Sequence, residues 1–164
     1  MLLTLISLAI FLLYLALALR HIGHVPQSLS ETFYLIGGQP KCYLFTAALW
    51  TMMFTLMPAL LEMTAERWDW LVFLALAGIG FVGSAPFFHD SAEGKVHTAA
   101  AIAAAVFGVA WTLTTAYWYA ALALTFCICM LGIAATDSWR SARTFWLEML
   151  AFGAVYFSAI FEQM

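Results

Sequence analysis

Charged side chains are scarce in this chain of 164 residues: Lys, Arg, Asp and Glu together make up 9% of it, where a soluble domain carries about 25%. A water-soluble globule of this size would lack the polar groups to cover its own surface. The shortage therefore excludes a soluble enzyme, and the high apolar content excludes a disordered chain. Basic residues are the rarer sign, six against nine acidic, for a net charge of −3. That balance leaves no footprint for nucleic acid, and none is expected as a partner. Three cysteines cannot build a disulfide framework. Cys127 and Cys129 fall in one apolar run, and their side chains point about 200° apart on a helix, which suits buried filler. Glycine-rich phosphate loops, nucleophile elbows, His-Glu-x-x-His and Cys-x-x-Cys motifs are all missing. No internal repeat divides the chain into similar halves, so the inverted-repeat signature of many transporters is missing too.

What the chain has is apolar length: 65% of its residues are hydrophobic and 16% aromatic. A bilayer core of about 30 Å needs about 20 apolar residues per helix. Charges mark the ends of such runs. None occurs before Arg20, between Lys41 and Glu62, between Asp69 and His89, or between His97 and Asp137. The last run is too long for one crossing, since as a single helix it would extend about 58 Å. The cluster Tyr117, Trp118 and Tyr119 suits an interfacial hairpin where it folds back. The reading is an all-α integral membrane protein, a six-helix bundle forming one transmembrane domain over 1–164. Its spans are expected at about 1–19, 43–62, 70–88, 97–116, 120–136 and 144–161. The first run has no basic leader and exceeds a signal-peptide core, so it reads as a retained helix. Strands alternating over about ten residues, the mark of a membrane barrel, do not occur.

Five basic residues (Arg20, Lys41, Lys95, Arg140 and Arg143) fall in the connections on one side, and Arg67 alone falls on the other. The positive-inside rule then places both termini outside and the longer connections in the cytoplasm, in a plasma or inner membrane. The longest connection, 20–41, holds Ser28 and Glu31 at capping-box spacing, then Phe33 to Ile36, then Gly37, Gly38 and Pro40 as a stop. It predicts one short interfacial helix between spans one and two, either a plain capped linker or a lid over a site. Asp90 with Glu93, Asp69 and Asp137 read as helix starts. Ala104 and Gly108, with Gly78, Gly80 and Gly83, predict close packing of spans three and four at the centre of the bundle.

Glu148 is the leading candidate for function, because an ionisable group inside a span is costly. It shares a helical face with Ala151, Phe152, Val155, Ser158 and Glu162. Thr51, Thr55, Pro58 and Glu62 form a second polar stripe, and Thr125, Cys129, Gly132 and Thr136 a third. If these faces converge, the interior holds a polar-lined cavity that binds or conducts a small solute, a proton or a lipid. Tyr156, Trp50 and Trp111 are the aromatic residues placed to touch a ligand. The four histidines, His21, His24, His89 and His97, fall on one side with Asp90, Glu93 and Cys42. A zinc ion held there would make an interfacial metal-dependent hydrolase. No cofactor other than that zinc is expected. A third reading is a structural or accessory subunit, forming a homo-oligomer or binding a partner membrane protein. Membrane lipids are partners under every reading.

Overall fold

Apolar residues recur on all sides of the long runs, which is the pattern of helices surrounded by lipid and by one another. The computed structural model describes residues 1–37, 43–87 and 91–164. Among these it is helical throughout, with seven α-helices and no strand. In chain order they are α1 (Leu2–Ile22), α2 (Glu31–Ile36), α3 (Tyr43–Met63), α4 (Asp69–Gly83), α5 (Ser91–Thr112), α6 (Trp118–Thr136) and α7 (Arg143–Glu162). Single 3-10 turns at Glu66–Trp68 and Ala85–Phe87 flank α4. Five of the helices, α1, α3, α5, α6 and α7, are long and apolar enough to cross a membrane. Large apolar side chains such as Leu13, Phe54, Phe126 and Leu131 stand exposed around the bundle. In water such a surface would drive aggregation; in lipid it needs no cover.

The span expected at 70–88 is shorter in the structure. α4 is 15 residues long, about 22 Å of helix. Pro86 explains the stop, because its ring disfavours helical geometry at the preceding residue and it brings no N–H. Ser84 Oγ donates to the Gly80 carbonyl at 2.9 Å and helps close the last turn. The span expected at 97–116 is displaced. α5 begins at Ser91 and ends at Thr112, because Thr114 and Thr115 turn both backbone N–H and hydroxyl onto the Trp111 and Thr112 carbonyls. The hairpin therefore lies before Trp118, and Trp118 and Tyr119 belong to α6. Asp137 is no helix start. It closes the C-terminus of α6 with φ 46° and ψ 36°, a left-handed conformation that Asp tolerates better than most residues. Asp69 does open α4 as its first helical residue, with Trp68 in the cap position, and its buried Oδ1 finds no partner among the described residues. The expected Asp90–Glu93 cap lies outside the described residues.

α4 and α5 form a close antiparallel pair, as their small residues predict, but the centre of the bundle is α3, the most buried of the long helices, while α5 lies at the periphery. A methyl group added at Gly78 would lie 2.6 Å from the Ala100 carbonyl oxygen and 2.8 Å from the Ala104 nitrogen. Nothing larger than hydrogen fits between these backbones. α3 lies beside α1 and α4, and α7 packs on α5 and touches α1 and α3. α6 packs almost wholly on α7, where a β-carbon at Gly132 would overlap the Trp146 ring and one at Gly153 the Thr125 side chain. The buried side chains Phe45, Leu49, Met52 and Leu56 of α3 meet Val72 and Leu76 of α4 and Phe11 and Tyr14 of α1.

Helix pairs in lipid gain little from the hydrophobic effect and rely on packing and polar contacts. The polar contacts are concentrated on α1. Ser7 Oγ donates to the Met52 carbonyl at 2.9 Å, so at its 2.7 Å contact with Tyr156 the phenol is the donor. Thr4 donates to Gln163 at 3.0 Å. Thr112 Oγ1 and Ser158 Oγ, by contrast, are fully buried and find no partner among the described residues. An unsatisfied buried hydroxyl costs about 1–3 kcal/mol. Ser158→Ala is therefore expected to raise the thermal midpoint of the protein in detergent, and a clear fall would contradict it.

Candidate functional site

Glu148 sits in the second turn of α7, at the bundle end that also holds Arg20, Lys95 and Arg143. Its carboxylate turns inward rather than toward the basic side chains of its own loop. Oε2 accepts the Leu29 backbone N–H at 2.6 Å. The segment that supplies this N–H is built for the purpose. α1 ends at Gly23 with φ 79°, its N–H bonded to the Leu19 carbonyl. Ser28 Oγ accepts the Glu31 N–H at 3.2 Å. The Glu31 carboxylate reaches back to the Gln27 N–H. This is the capping exchange that the Ser28–Glu31 spacing predicts, with the return bond one residue earlier than in the standard box. The Gln27 carbonyl in turn accepts the Phe145 N–H of α7 at 2.8 Å. Thr32 donates to the Leu29 carbonyl, so in its contact with Tyr14 at 2.6 Å the Tyr14 hydroxyl donates. The segment 27–32 is thus tied to both α7 and α1, and Leu29, 2% exposed, is held in the bundle.

Behind Leu29 lies a partly open cleft that holds about 60 Å³ of free space. Its walls come from four helices: Leu49, Leu56 and Leu60 of α3, Val72, Leu76 and Ile79 of α4, Ala101, Ala104, Ala105 and Gly108 of α5, and Ala151, Phe152 and Val155 of α7. Glu148 lies at one end, and Tyr156 and Trp111 line it further along. Up to Trp111 the α5 wall is made of small residues, and the same smallness that lets α4 approach leaves the cleft. Near the far end α5 and α7 close together, where a β-carbon at Gly108 would meet Val155 at 3.1 Å. Trp111 is 2% exposed. Its indole N–H donates to Thr64 Oγ1 at 2.7 Å, and Thr64 donates to the Leu60 carbonyl at 2.6 Å. The far wall is therefore held in place by a satisfied chain of bonds.

The structure brings Glu148, Tyr156 and Trp111 to one cleft and leaves the other expected ligand or relay residues out. Thr51 and Glu62 are exposed, and Thr55 donates back to the Thr51 and Met52 carbonyls of its own helix. The α3 stripe faces outward because the opposite face, Phe45 to Leu60, is the apolar one that packs. Trp50 is 39% exposed and braces α3 on α4 by donating to the Gly80 carbonyl at 3.0 Å. Glu162 accepts the Ala116 N–H at the far end of α7, fourteen residues or about 21 Å along the helix from Glu148. The three carboxylates do not converge. Glu148 and Tyr156 are themselves about 12 Å apart along α7, with apolar side chains between them. The walls of the cleft are apolar, against the expectation of a polar-lined cavity.

The histidines are dispersed. His21 and His24 are exposed, and His24 borders a separate polar cleft with Gln27, Glu31, Asp137 and Ser138. His97 is half-buried on α5, one turn before Ala101. His89 lies outside the described residues, as does Cys42. Among the described residues no three His, Cys, Asp or Glu side chains gather as ligands for a metal.

Sequence reasoning missed Leu29. It is an ordinary leucine in a loop, and no local pattern marks it as the residue whose N–H meets Glu148. No protein-family profile matches the chain, and no curated protein or solved structure is similar to it.

Proposed function

We propose that this is a six-span membrane protein that binds a hydrocarbon-chained molecule inside its bundle. α4 supplies the sixth crossing, extended at each end by its 3-10 turn and thereby reaching the level of the helices that flank it. The basic end, with Arg20, Lys95, Arg140 and Arg143, faces the cytoplasm. There α2 lies along the interface, where its exposed Tyr34 and Leu35 meet the acyl boundary.

The single observation that carries the reading is the cleft itself: apolar walls drawn from four helices, with one carboxylate at one end. Ligand sites are mostly apolar with a few placed polar groups. Conduction of ions or protons needs polar groups in succession, and the stretch between Glu148 and Trp111 offers leucine, valine and alanine instead. Ala101, Ala105 and Ala151 are half-exposed, so a chain can enter sideways from the lipid.

A pyrene-labelled dodecanol, read by energy transfer from the tryptophans, tests this in detergent. It is expected to bind the wild type saturably. Ala105→Phe, which fills the cleft, is expected to lower its affinity by about tenfold or more, which is the loss of two buried methylenes at 0.8 kcal/mol each. Equal binding to both proteins would overturn the reading.

A further inference from the structure

The cleft has a chemically distinct end, and its donor and acceptor pattern selects a head group. Resting on the binding reading above, we infer that the ligand is an amphiphile whose head donates hydrogen bonds and is not anionic, a primary amine before a hydroxyl. Three observations carry this. Glu148 is the only charged side chain among the described residues that line the cleft. Its Oε2 is committed to the Leu29 N–H, whereas Oε1 accepts from no described residue. The Leu29 N–H is already used by Glu148, and no Lys or Arg among the described residues lines the cleft to meet an anion.

An ammonium head would place a proton donor against Oε1 and neutralise the carboxylate in surroundings of low dielectric constant, where pairing counts most. A hydroxyl head would make the same bond without the charge. A carboxylate or phosphate head would set two anions together with no cation between them, which disfavours binding. The chain then runs from Glu148 past Ala104 and Gly108 toward Trp111. Leu29 covers the head end, so the segment 27–32 packs over the occupant.

The test is displacement of the pyrene probe from detergent-solubilised wild type and Glu148→Gln by dodecylamine, dodecanol and laurate. Each competitor's partition into micelles is measured in protein-free detergent, and displacement is compared per free competitor. Amine is expected to displace the probe from the wild type at a concentration about tenfold lower than laurate does, since a charge-assisted hydrogen bond is worth a factor of that order. Glu148→Gln is expected to erase that advantage. If the three competitors are equivalent on the wild type, or if laurate is best, the head-group assignment is overturned and the cleft remains a site for hydrocarbon. If the probe does not bind the wild type at all, the binding reading fails and the head-group assignment falls with it. The wild-type comparison needs no variant, so a Glu148→Gln protein that folded poorly would not shield the inference.

Discussion

Gly78→Ala is expected to destabilise the protein by about 1–3 kcal/mol, and Gly78→Ile to prevent recovery of the folded bundle. The β-carbon of alanine would stand 2.6 Å from the Ala100 carbonyl oxygen and 2.8 Å from the Ala104 nitrogen. Both are backbone atoms of a helix, so neither can swing aside as a side-chain end would. Relief requires α4 and α5 to move apart. That movement would loosen the packing on which association in lipid depends. It would also widen the cleft, whose α4 and α5 walls flank this crossing. The measurement is the thermal midpoint in a mild detergent, with Gly94→Ala as the control. Gly94 lies on the same helix pair but has open space around its would-be β-carbon. Equal midpoints for Gly78→Ala and Gly94→Ala would contradict the close approach.

Glu148→Ala is expected to free the linker between α1 and α3 without unfolding the bundle. Removing the carboxylate strands the Leu29 N–H beside apolar walls, at about 1–3 kcal/mol for a buried donor left without its acceptor. Two other ties remain, from Phe145 N–H to the Gln27 carbonyl and from Tyr14 to Thr32. The loss is therefore expected to be local. Limited proteolysis should cut between His24 and Ser30 several times faster than in the wild type, while the long helices stay intact. Glu148→Gln keeps an acceptor at the same place and should stay near the wild-type rate. If Glu148→Ala is cut no faster, the contact does not hold the linker.

Much of this architecture was legible along the chain because lipid imposes simple rules. Absent water, a spanning backbone must satisfy itself as helix, so uncharged runs of about twenty residues mark α1, α3, α6 and α7 to within a few positions. Gly78, Ala104 and Gly108 announce a close helix pair because only small residues permit one. The boundaries of α4 and α5 were less legible. They depend on Pro86, and on threonine hydroxyls that choose between two neighbouring carbonyls.

The site divides the same way. Sequence alone determined that Glu148 must be accounted for, since a carboxylate amid apolar residues needs a partner wherever it points. It also determined that Ser28 and Glu31 cap one turn. Only the tertiary structure decided which partner Glu148 takes, and that the Thr51, Thr55 and Glu62 stripe turns outward while Trp111 turns in. The physical reason is that each helix is apolar nearly all round. With little amphipathic contrast, periodicity cannot say which face is buried. That choice is made by the fit of side chains between helices, and by a loop residue, Leu29, that lies 119 positions from the carboxylate it meets.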